Sequence, residues 1–430
     1  MRVLLRTGLR FRTEFFALTL LFAATAGFAQ DPAPADLAGR IRQIMSRPEF
    51  EHADFGIEFY APDTDKVIYA LNEQKLFTPA STTKLLTEGT LLASLGADYR
   101  FHTKIFRTGP VDSRGKLKGD LILVASGDPN LSNRIRPGET LAFENEDHSY
   151  GGPAVAGDPL AVIRQLARDV AAKGIRRIEG RVLVDASLFP DGAREGGTDV
   201  VISSIAVNDN LIDLFGKPGA KIGDPLILET SPHTSYVKFV NHVVTTAAGS
   251  KPQLVPPGIQ TNPDGSVTIT LSGSLPLDAP ATPAAIPVPS PTRFAETVLR
   301  EALVAAGIEV KSPAAAAAPD FAQYAKLYTP ENQIAEHVSP PLSEEIKVTL
   351  KVSQNLHAGM GPYLLGALVA KNAEDPLHSG FKIERDFLEA AKLDLSGASQ
   401  GDGAGGDWAD LFSPHFMCRY LAYWTTRPDF

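Results

Sequence analysis

Hydrophobic periodicity divides the first part of the chain into recognisable elements. Residues 35–45 carry apolar side chains at helical spacing. Residues 55–60 and 66–70 instead alternate apolar and polar positions around a Pro/Asp turn at 62–65. A second, more apolar helix is predicted over 82–95, ended by Gly96. The chain is therefore expected to run helix, β-hairpin, helix before its pattern changes.

Residues 101–292 are dominated by short strand-like runs at 120–124, 181–185 and 266–271, with one clear helix at 159–173. Asn208, Asp209 and Asn210 predict a turn or a buried polar cluster, and the Pro/Ala-rich segment 276–291 predicts a linker or an extended connection. Helical spacing returns at 292–307, the Ala-rich stretch 313–319 gives no assignment, and 397–406 predicts a glycine-rich loop. We therefore predict a domain built from 30–100 and 293–430, interrupted by a mostly β insertion at 101–292 with two subdomains.

The first 29 residues have the composition of an export signal. Four arginines precede an apolar stretch at 15–26, and Gly27 and Ala29 supply small residues at positions −3 and −1 of a cleavage site. A transmembrane anchor is the alternative, but it needs about 20 apolar residues. We predict a periplasmic or secreted protein with no stable membrane span after cleavage.

Net charge limits the possible binding partners, and the cysteine count limits the possible disulfides. The formal net charge is −9, and removing the arginine-rich signal makes it more negative, which argues against a nucleic-acid partner. A single cysteine, Cys418, excludes an intramolecular disulfide.

Ser81-Thr82-Thr83-Lys84 is the first candidate for chemistry. On a helix, positions i and i+3 share a face, so the Lys84 amine can reach the Ser81 hydroxyl and activate it as a nucleophile. The helix start also offers backbone N–H groups to a developing oxyanion. An ordinary N-cap serine explains Ser81 equally well from spacing alone.

The same S-x-x-K spacing begins at Ser113, Ser235 and Ser379. The first of these lies in a turn-like segment, and the second lies in a strand-like run in which i and i+3 face opposite ways. The third is followed directly by glycine, which disfavours a helix there. Only Ser81 is predicted to begin a strong helix.

Ser353-Gln354-Asn355 is the second candidate motif. A second hydroxyl near the lysine can relay a proton, and an amide can hold a peptide backbone. A capping or loop role is the alternative for this segment taken alone. Ser353 lies 272 positions after Ser81.

Taken together, the ordered motifs resemble those of a known family. Six segments carry the resemblance: 79–87 (PASTTKLLT), 95–99 (LGADY), 126–129 (SGDP), 207–210 (VNDN), 339–342 (SPPL) and 353–356 (SQNL). They are similar to the D-alanyl-D-alanine carboxypeptidases/endopeptidases, the class C low-molecular-mass penicillin-binding proteins, over about residue 37 to the end. The resemblance implies an α/β (α+β) fold, with a penicillin-binding-protein/serine β-lactamase-like catalytic domain and a large, mostly β insertion.

The resemblance also implies a mechanism. Ser81 would attack the carbonyl between two terminal D-alanines of a peptidoglycan stem peptide, Lys84 would act as base, and Ser353 and Asn355 would shuttle protons and position the peptide. β-Lactam antibiotics would acylate Ser81 and remain there. No cofactor is implied.

The chain departs from the family pattern at its third motif. No Lys-Thr-Gly or Lys-Ser-Gly occurs, and Arg107-Thr108-Gly109 precedes Ser353, in the wrong order. The missing strand would bind the substrate carboxylate and give one oxyanion donor, whose loss costs about 3–4 kcal/mol in the barrier. We expect truncation to explain the missing motif. The motifs that are present predict an enzyme, and the activity of this truncated form is left for experiment to decide. Two alternatives are a truncated or degenerate, non-catalytic peptidoglycan-binding protein and, ranked last, a serine esterase.

Two further residues near the motifs have competing interpretations. Glu88, four residues after Lys84, is expected either to keep the lysine charged or to be a solvated or capping carboxylate. His357 is interpreted as a packing or surface residue. The nine histidines show no metal-ligand spacing, so no metal is predicted.

Overall fold

The computed structural model describes residues 34–149, 154–311 and 319–428. The predicted signal peptide and most of the Ala-rich stretch 313–319 lie outside these residues. The chain divides into two units, Met1–Glu73 and Gln74–Phe430.

The described part of the first unit holds the predicted helix and hairpin. Helix α1 is Pro34–Met45, and the strands β1 (Ile57–Ala61) and β2 (Lys66–Leu71) pair antiparallel. Between the strands, a 3₁₀ turn ends at Asp65, whose left-handed φ of 50° closes the hairpin. The alternation of apolar residues around a Pro/Asp turn thus gives the expected structure.

The second unit contains most of the secondary structure. Its helices are α2 (Lys84–Leu95), α3 (Ala161–Ala172), α4 (Pro291–Ala305), α5 (Leu342–Val352), α6 (Asn355–Leu364), α7 (Pro376–Ala390) and α8 (Pro414–Trp424). Its strands are β3 (His102–Arg107), β4 (Lys116–Leu117), β5 (Leu121–Val124), β6 (Ile135–Arg136), β7 (Thr140–Leu141), β8 (Arg177–Ile178), β9 (Val182–Asp185), β10 (Leu211–Lys217), β11 (Ile227–Ser231), β12 (Val237–Thr246), β13 (Gln253–Thr261), β14 (Val267–Pro276), β15 (Thr282–Pro287), β16 (Glu309–Val310), β17 (Gln333–Val338), β18 (Ala398–Ser399) and β19 (Leu411–Phe412).

A four-stranded mixed sheet in the order β17-β3-β5-β9 forms the centre of the main hydrophobic core. The strands β5 and β9 are parallel and α3 lies between them in the chain, as a crossover connection requires. Leu121, Ile122 and Leu123 are all fully buried, the pattern of a strand covered on both faces. Because β17 follows the predicted insertion yet pairs with β3 inside it, the chain returns to this sheet before entering the last helices.

Two three-stranded sheets make the second half of the predicted insertion β-rich, in the orders β11-β10-β15 and β12-β14-β13. The segment 276–291 includes β15, which pairs antiparallel with β10. The linker interpretation of this segment is therefore wrong, and the extended alternative is correct. Proline is tolerated in β15 because this strand is at a sheet edge. The domain boundaries themselves stay a prediction.

Helix α2 is surrounded by other elements and buries polar as well as apolar residues. Leu91 packs with residues of α5 and α6, and Leu86 packs with residues of α7 and α8. Lys84, Thr87 and Glu88 are buried on the same helix. Buried polar residues on a helix that packs against several others point to a functional site rather than to packing alone.

Candidate active site

Ser81 lies in a 3₁₀ turn, Ala80–Thr83, directly before α2. The prediction placed it at the start of the α-helix. The 3₁₀ turn also brings the Lys84 amine to the Ser81 hydroxyl, because it stacks residues i and i+3 one above the other. Ala80 adopts a left-handed φ of 47°, an uncommon backbone state for a non-glycine residue. Such strained residues cluster at functional sites.

The Lys84 ammonium group has three acceptors, one for each N–H. Its Nζ donates to Ser81 Oγ at 2.9 Å, to Asn355 Oδ1 at 2.7 Å and to the carbonyl oxygen of Ala404 at 2.9 Å. The side chain is almost completely buried. The lysine therefore joins the turn before α2, the first residue of α6 and the glycine-rich loop.

Burial lowers the pKa of Lys84 to about 8, against the opposing charges of Glu195 and Asp402. A lysine with such a pKa has an accessible neutral form near physiological pH, which a general base needs.

Ser353 lies in the two-residue junction between α5 and α6, and Asn355 is the first residue of α6. Ser353 has a left-handed φ of 59°, and its Oγ donates to Ser81 Oγ at 2.8 Å. Gln354 caps α6 by accepting from the backbone N–H of Leu356 at 2.8 Å. The structure thus brings together the four residues singled out in the sequence, Ser81, Lys84, Ser353 and Asn355.

The other S-x-x-K sequences do not form such a cluster. Ser113 lies in a turn, as expected, whereas Ser235 lies in a turn just before β12 and not within the predicted strand-like run. The expectation for Ser379 is wrong, because Ser379 and Lys382 both lie within α7. The Lys382 side chain is exposed and donates to Asp386 at 2.6 Å. Burial, rather than helicity, therefore separates Lys84 from the other lysines.

The glycine-rich loop is held by the Asp402 carboxylate. One of its oxygens accepts from the backbone N–H groups of Ala404 at 2.8 Å and Gly405 at 2.6 Å, and the other accepts from Gly406 at 3.0 Å. This turn aims the Ala404 carbonyl at Lys84. A Cβ on Gly405, which has a φ of +87°, would overlap the carbonyl of Ala80, so glycine is required here.

Sequence reasoning missed a turn centred on Glu195. The buried Glu195 carboxylate accepts from the backbone of Gly197 at 2.7 Å and from Thr198 N and Oγ1, both at 2.6 Å. A Cβ on Gly197 would lie 2.5 Å from Asn355 Nδ2, so this turn packs directly against the Asn355 amide. The run Glu-Gly-Gly-Thr is a turn signal, but nothing in the sequence indicates its position beside Asn355.

Glu88 is neither solvated nor capping. It is 2% exposed, and burial, together with the charge of Glu345, raises its pKa to about 8. At neutral pH most of this carboxyl is protonated, and a protonated carboxyl does not hold a lysine in its charged form.

Asp209 is the centre of a buried ionic cluster. The sequence predicted either a turn or a buried polar cluster at 208–210, and the segment is both. The Asp209 carboxylate accepts from Arg134 Nη2 at 2.7 Å, from His148 Nδ1 at 2.6 Å and from His357 Nε2 at 2.8 Å. Buried charges of this kind need partners on every side. His357, interpreted as a packing or surface residue, is a buried member of this cluster.

Both histidines of the cluster lie between two carboxylates. His148 Nε2 is 2.8 Å from Asp213 Oδ1, and His357 Nδ1 is 2.7 Å from Glu345 Oε1. A carboxylate close to each ring nitrogen favours the positively charged imidazolium form. Burial alone would lower both pKa values, but the carboxylates outweigh it and raise the pKa of His148 to about 10 and of His357 to about 9.

A metal ion does not fit this cluster. Donor atoms of Asp147, His148 and Asp209 lie within 4.8 Å of one another. However, Arg134 Nη2 is 2.9 Å from Asp147 Oδ2 and also pairs with Asp209. The guanidinium and the His148 imidazolium already neutralise these carboxylates and would repel a metal cation.

These observations define an α/β protein with a buried serine–lysine site, and the comparisons with known proteins agree. Residues 37–430 match the D-Ala-D-Ala carboxypeptidase 3 (S13) family. The chain belongs to this family of serine-type carboxypeptidases, as the motif resemblance predicted.

Two curated proteins show the extent of the similarity. The chain is 28% identical over 425 residues to a D-alanyl-D-alanine carboxypeptidase of Actinomadura sp. (strain R39), covering 93% of this chain and 71% of that protein. It is 23% identical over 313 residues to penicillin-sensitive carboxypeptidase A of Dictyostelium discoideum, covering 70% of this chain and 55% of that protein.

The fold is similar to that of penicillin binding protein 4 from Haemophilus influenzae. The TM-score is 0.67 with 18% sequence identity, and the match covers 87% of this chain and 76% of that protein. A second structure of the Haemophilus protein, in complex with a β-lactam, matches with a TM-score of 0.64 at 18% identity, over 88% of this chain and 76% of that one. The predicted fold class, a penicillin-binding-protein-like catalytic domain with a β-rich insertion, is confirmed. Within the residues that the structure describes, we find no helix with the length and apolar content of a membrane span.

Proposed function

We propose that this chain cleaves the terminal D-Ala-D-Ala bond of peptidoglycan stem peptides through an acyl-enzyme on Ser81, and that β-lactams acylate the same hydroxyl. The observation that carries the proposal is the position of Ser81 Oγ, 2.9 Å from Lys84 Nζ and 2.8 Å from Ser353 Oγ. A hydroxyl between an amine and a second hydroxyl has both a proton acceptor and a relay within reach. Export to the periplasm or the medium belongs to the same proposal, because that is where the substrate is.

The first half-reaction exchanges an amide for an ester. Neutral Lys84 takes the Ser81 proton while Ser81 Oγ bonds to the carbonyl carbon of the penultimate D-alanine. The C–N bond then breaks, and the leaving D-alanine amine receives a proton through Ser353 and Lys84. The Asn355 amide is fixed between Lys84 and the Glu195 turn, and its proposed role is to hold the peptide backbone.

The second half-reaction uses water. Water attacks the ester carbonyl and the ester C–O bond breaks. One proton of the water passes to Ser81 Oγ, and the peptide leaves with a free carboxyl group. An amine in place of water would give transfer instead of hydrolysis. A β-lactam forms the same ester, but its leaving amine remains tethered, which slows the release of Ser81.

Intact-mass spectrometry of the purified chain incubated with a β-lactam tests the proposal. We expect an adduct of one β-lactam per chain that is absent in Ser81→Ala and present in Ser379→Ala, a matched control because Ser379 begins a second helical S-x-x-K. A folded wild-type chain that forms no adduct would contradict the proposal.

One sequence observation favours a second candidate, a non-catalytic peptidoglycan-binding protein: the 430 residues contain no Lys-Thr-Gly. Binding of a stem peptide that is equal in the wild type and in Ser81→Ala, with no adduct in either, would favour that candidate.

A further inference from the structure

Ser353 lies in a strained connection between two helices, and Asn355 is the first residue of the second helix. Helix α5 ends at Val352 and α6 begins at Asn355, and Ser353 between them is in the left-handed region. A non-glycine residue persists in this conformation only where its surroundings enforce it. The position of Ser353 Oγ beside Ser81 therefore depends on what holds α5 and α6 together.

His357 joins these two helices. It lies in the first turn of α6, and its Nδ1 is 2.7 Å from Glu345 Oε1 on α5. Its other ring nitrogen bonds to Asp209 at 2.8 Å, in the turn 208–210. A single imidazolium thus connects both sides of the Ser353 junction to a third element.

Glu345 is itself held in place. Asn130 Nδ2 donates to its carboxylate, and Thr349 Oγ1 donates to it at 3.1 Å within the same helix. Glu345 and His357 are 7% and 3% exposed, so water does not compete for their contact. The connection from Asn130 through Glu345 to His357 is consequently rigid.

We propose that His357 is a positioning residue for the reaction: it fixes the α5–α6 junction through Glu345 and Asp209, so that Ser353 Oγ and Asn355 Oδ1 reach Ser81 and Lys84. This inference rests on the proposed Ser81 acylation chemistry. His357 makes no contact with the reacting atoms in this arrangement and acts through Ser353 and Asn355.

The chain contains a matched control in His148. This histidine is also buried, also lies between two carboxylates and shares Asp209 with His357. Its second carboxylate, Asp213, is on β10 rather than on α5. Replacing either histidine removes one buried imidazolium, but only replacement of His357 removes a side chain that links α6 to α5.

Acylation by a β-lactam under saturating conditions separates positioning from general stability. In His357→Gln we expect the acylation rate constant to fall by about 10²-fold, the effect of misplacing a reacting group by about 1 Å, while the dissociation constant of the non-covalent complex changes little. In His148→Gln we expect a similar fall in Tm, with acylation within about threefold of the wild type. Equal slowing in the two variants would overturn the positioning role.

Crystal structures of the two variants give a measurement that is independent of activity. We expect Ser353 Oγ to leave hydrogen-bond distance of Ser81 Oγ in His357→Gln and to keep that distance in His148→Gln. Retention of the contact in His357→Gln would overturn the inference. If the wild-type chain is not acylated at all, the proposed function fails, and these structures still decide the positioning role.

Discussion

Glu88 is a carboxylic acid buried one helical turn beyond Lys84, with its pKa raised to about 8. Since the folded state binds this proton more tightly than the unfolded chain, Glu88 stabilises the fold below its ordinary pKa near 4.5. That contribution diminishes as pH rises from 4.5 and is lost as pH passes about 8. A glutamine at this position keeps a polar, neutral group and has no proton to lose.

We therefore predict that Glu88→Gln is more stable relative to the wild type at pH 9 than at pH 6. The measurement is the free energy of unfolding by urea at both pH values for the two chains. Thr90→Ser, another change to a buried polar residue on α2, serves as a control with no pH-dependent difference. A difference between Glu88→Gln and the wild type that is constant with pH would mean that Glu88 does not titrate in this range.

Single residues also show where sequence reasoning reaches its limit. Local motifs singled out Ser81, Lys84, Ser353 and Asn355, but spacing alone left capping or loop roles open, and the family resemblance supplied the expected catalytic roles. It could not show that Lys84 is buried while Lys382 is exposed, since burial depends on elements distant in the chain. The sequence predicted a turn or a buried polar cluster at Asp209 but not its partners, because Arg134 and His357 lie far away in sequence.

Elements were more predictable than their pairing. Hydrophobic periodicity located α1 to α4 and the first hairpin to within about two residues, because local patterns specify them. The same patterns did not reveal that β15 pairs with β10 or that β17 returns to β3. Strand pairing between distant segments is a tertiary property that a local window does not contain.

The glycine-rich loop allows a prediction at this scale. Gly405 and Gly174 have nearly the same left-handed φ, +87° and +85°, so alanine costs about 1–2 kcal/mol of backbone strain at either position. Only at Gly405 would the new Cβ also overlap the Ala80 carbonyl, next to Ser81, whereas Gly174 faces open space. The loop must then move, and it carries the Ala404 carbonyl away from Lys84.

We expect Gly405→Ala to slow acylation by a β-lactam about tenfold or more, and Gly174→Ala to leave the rate unchanged while losing only the backbone-strain cost of about 1–2 kcal/mol. Stopped-flow acylation rates and urea unfolding of both variants provide the comparison. Normal acylation by Gly405→Ala would show that the loop does not position Lys84.

For the whole molecule, the site depends on long-range closure. The Ser81 turn precedes the β-rich region, whereas Ser353 and the glycine-rich loop follow it. The hydrogen bonds of Lys84 Nζ to Asn355 and Ala404 therefore span 271 and 320 positions. Such contacts form late, because each closes a long loop before it contributes energy. The central core must therefore hold the chain together while the site assembles around it.

Phe294 tests how far the core and the site are energetically separate. It is fully buried on α4 in the main core, and none of the four site residues belongs to that core. Phe294→Ala removes an aromatic ring from a packed interior, which typically costs about 3–5 kcal/mol. We expect that loss in the free energy of unfolding, with an unchanged acylation rate constant per folded molecule.

Trp408, 91% exposed, is the matched aromatic control, and the free energy of unfolding of its alanine variant should stay within about 0.5 kcal/mol of the wild type. If Phe294→Ala slows acylation in the fully folded protein, core packing extends its influence to the Ser81 turn and the separation is refuted.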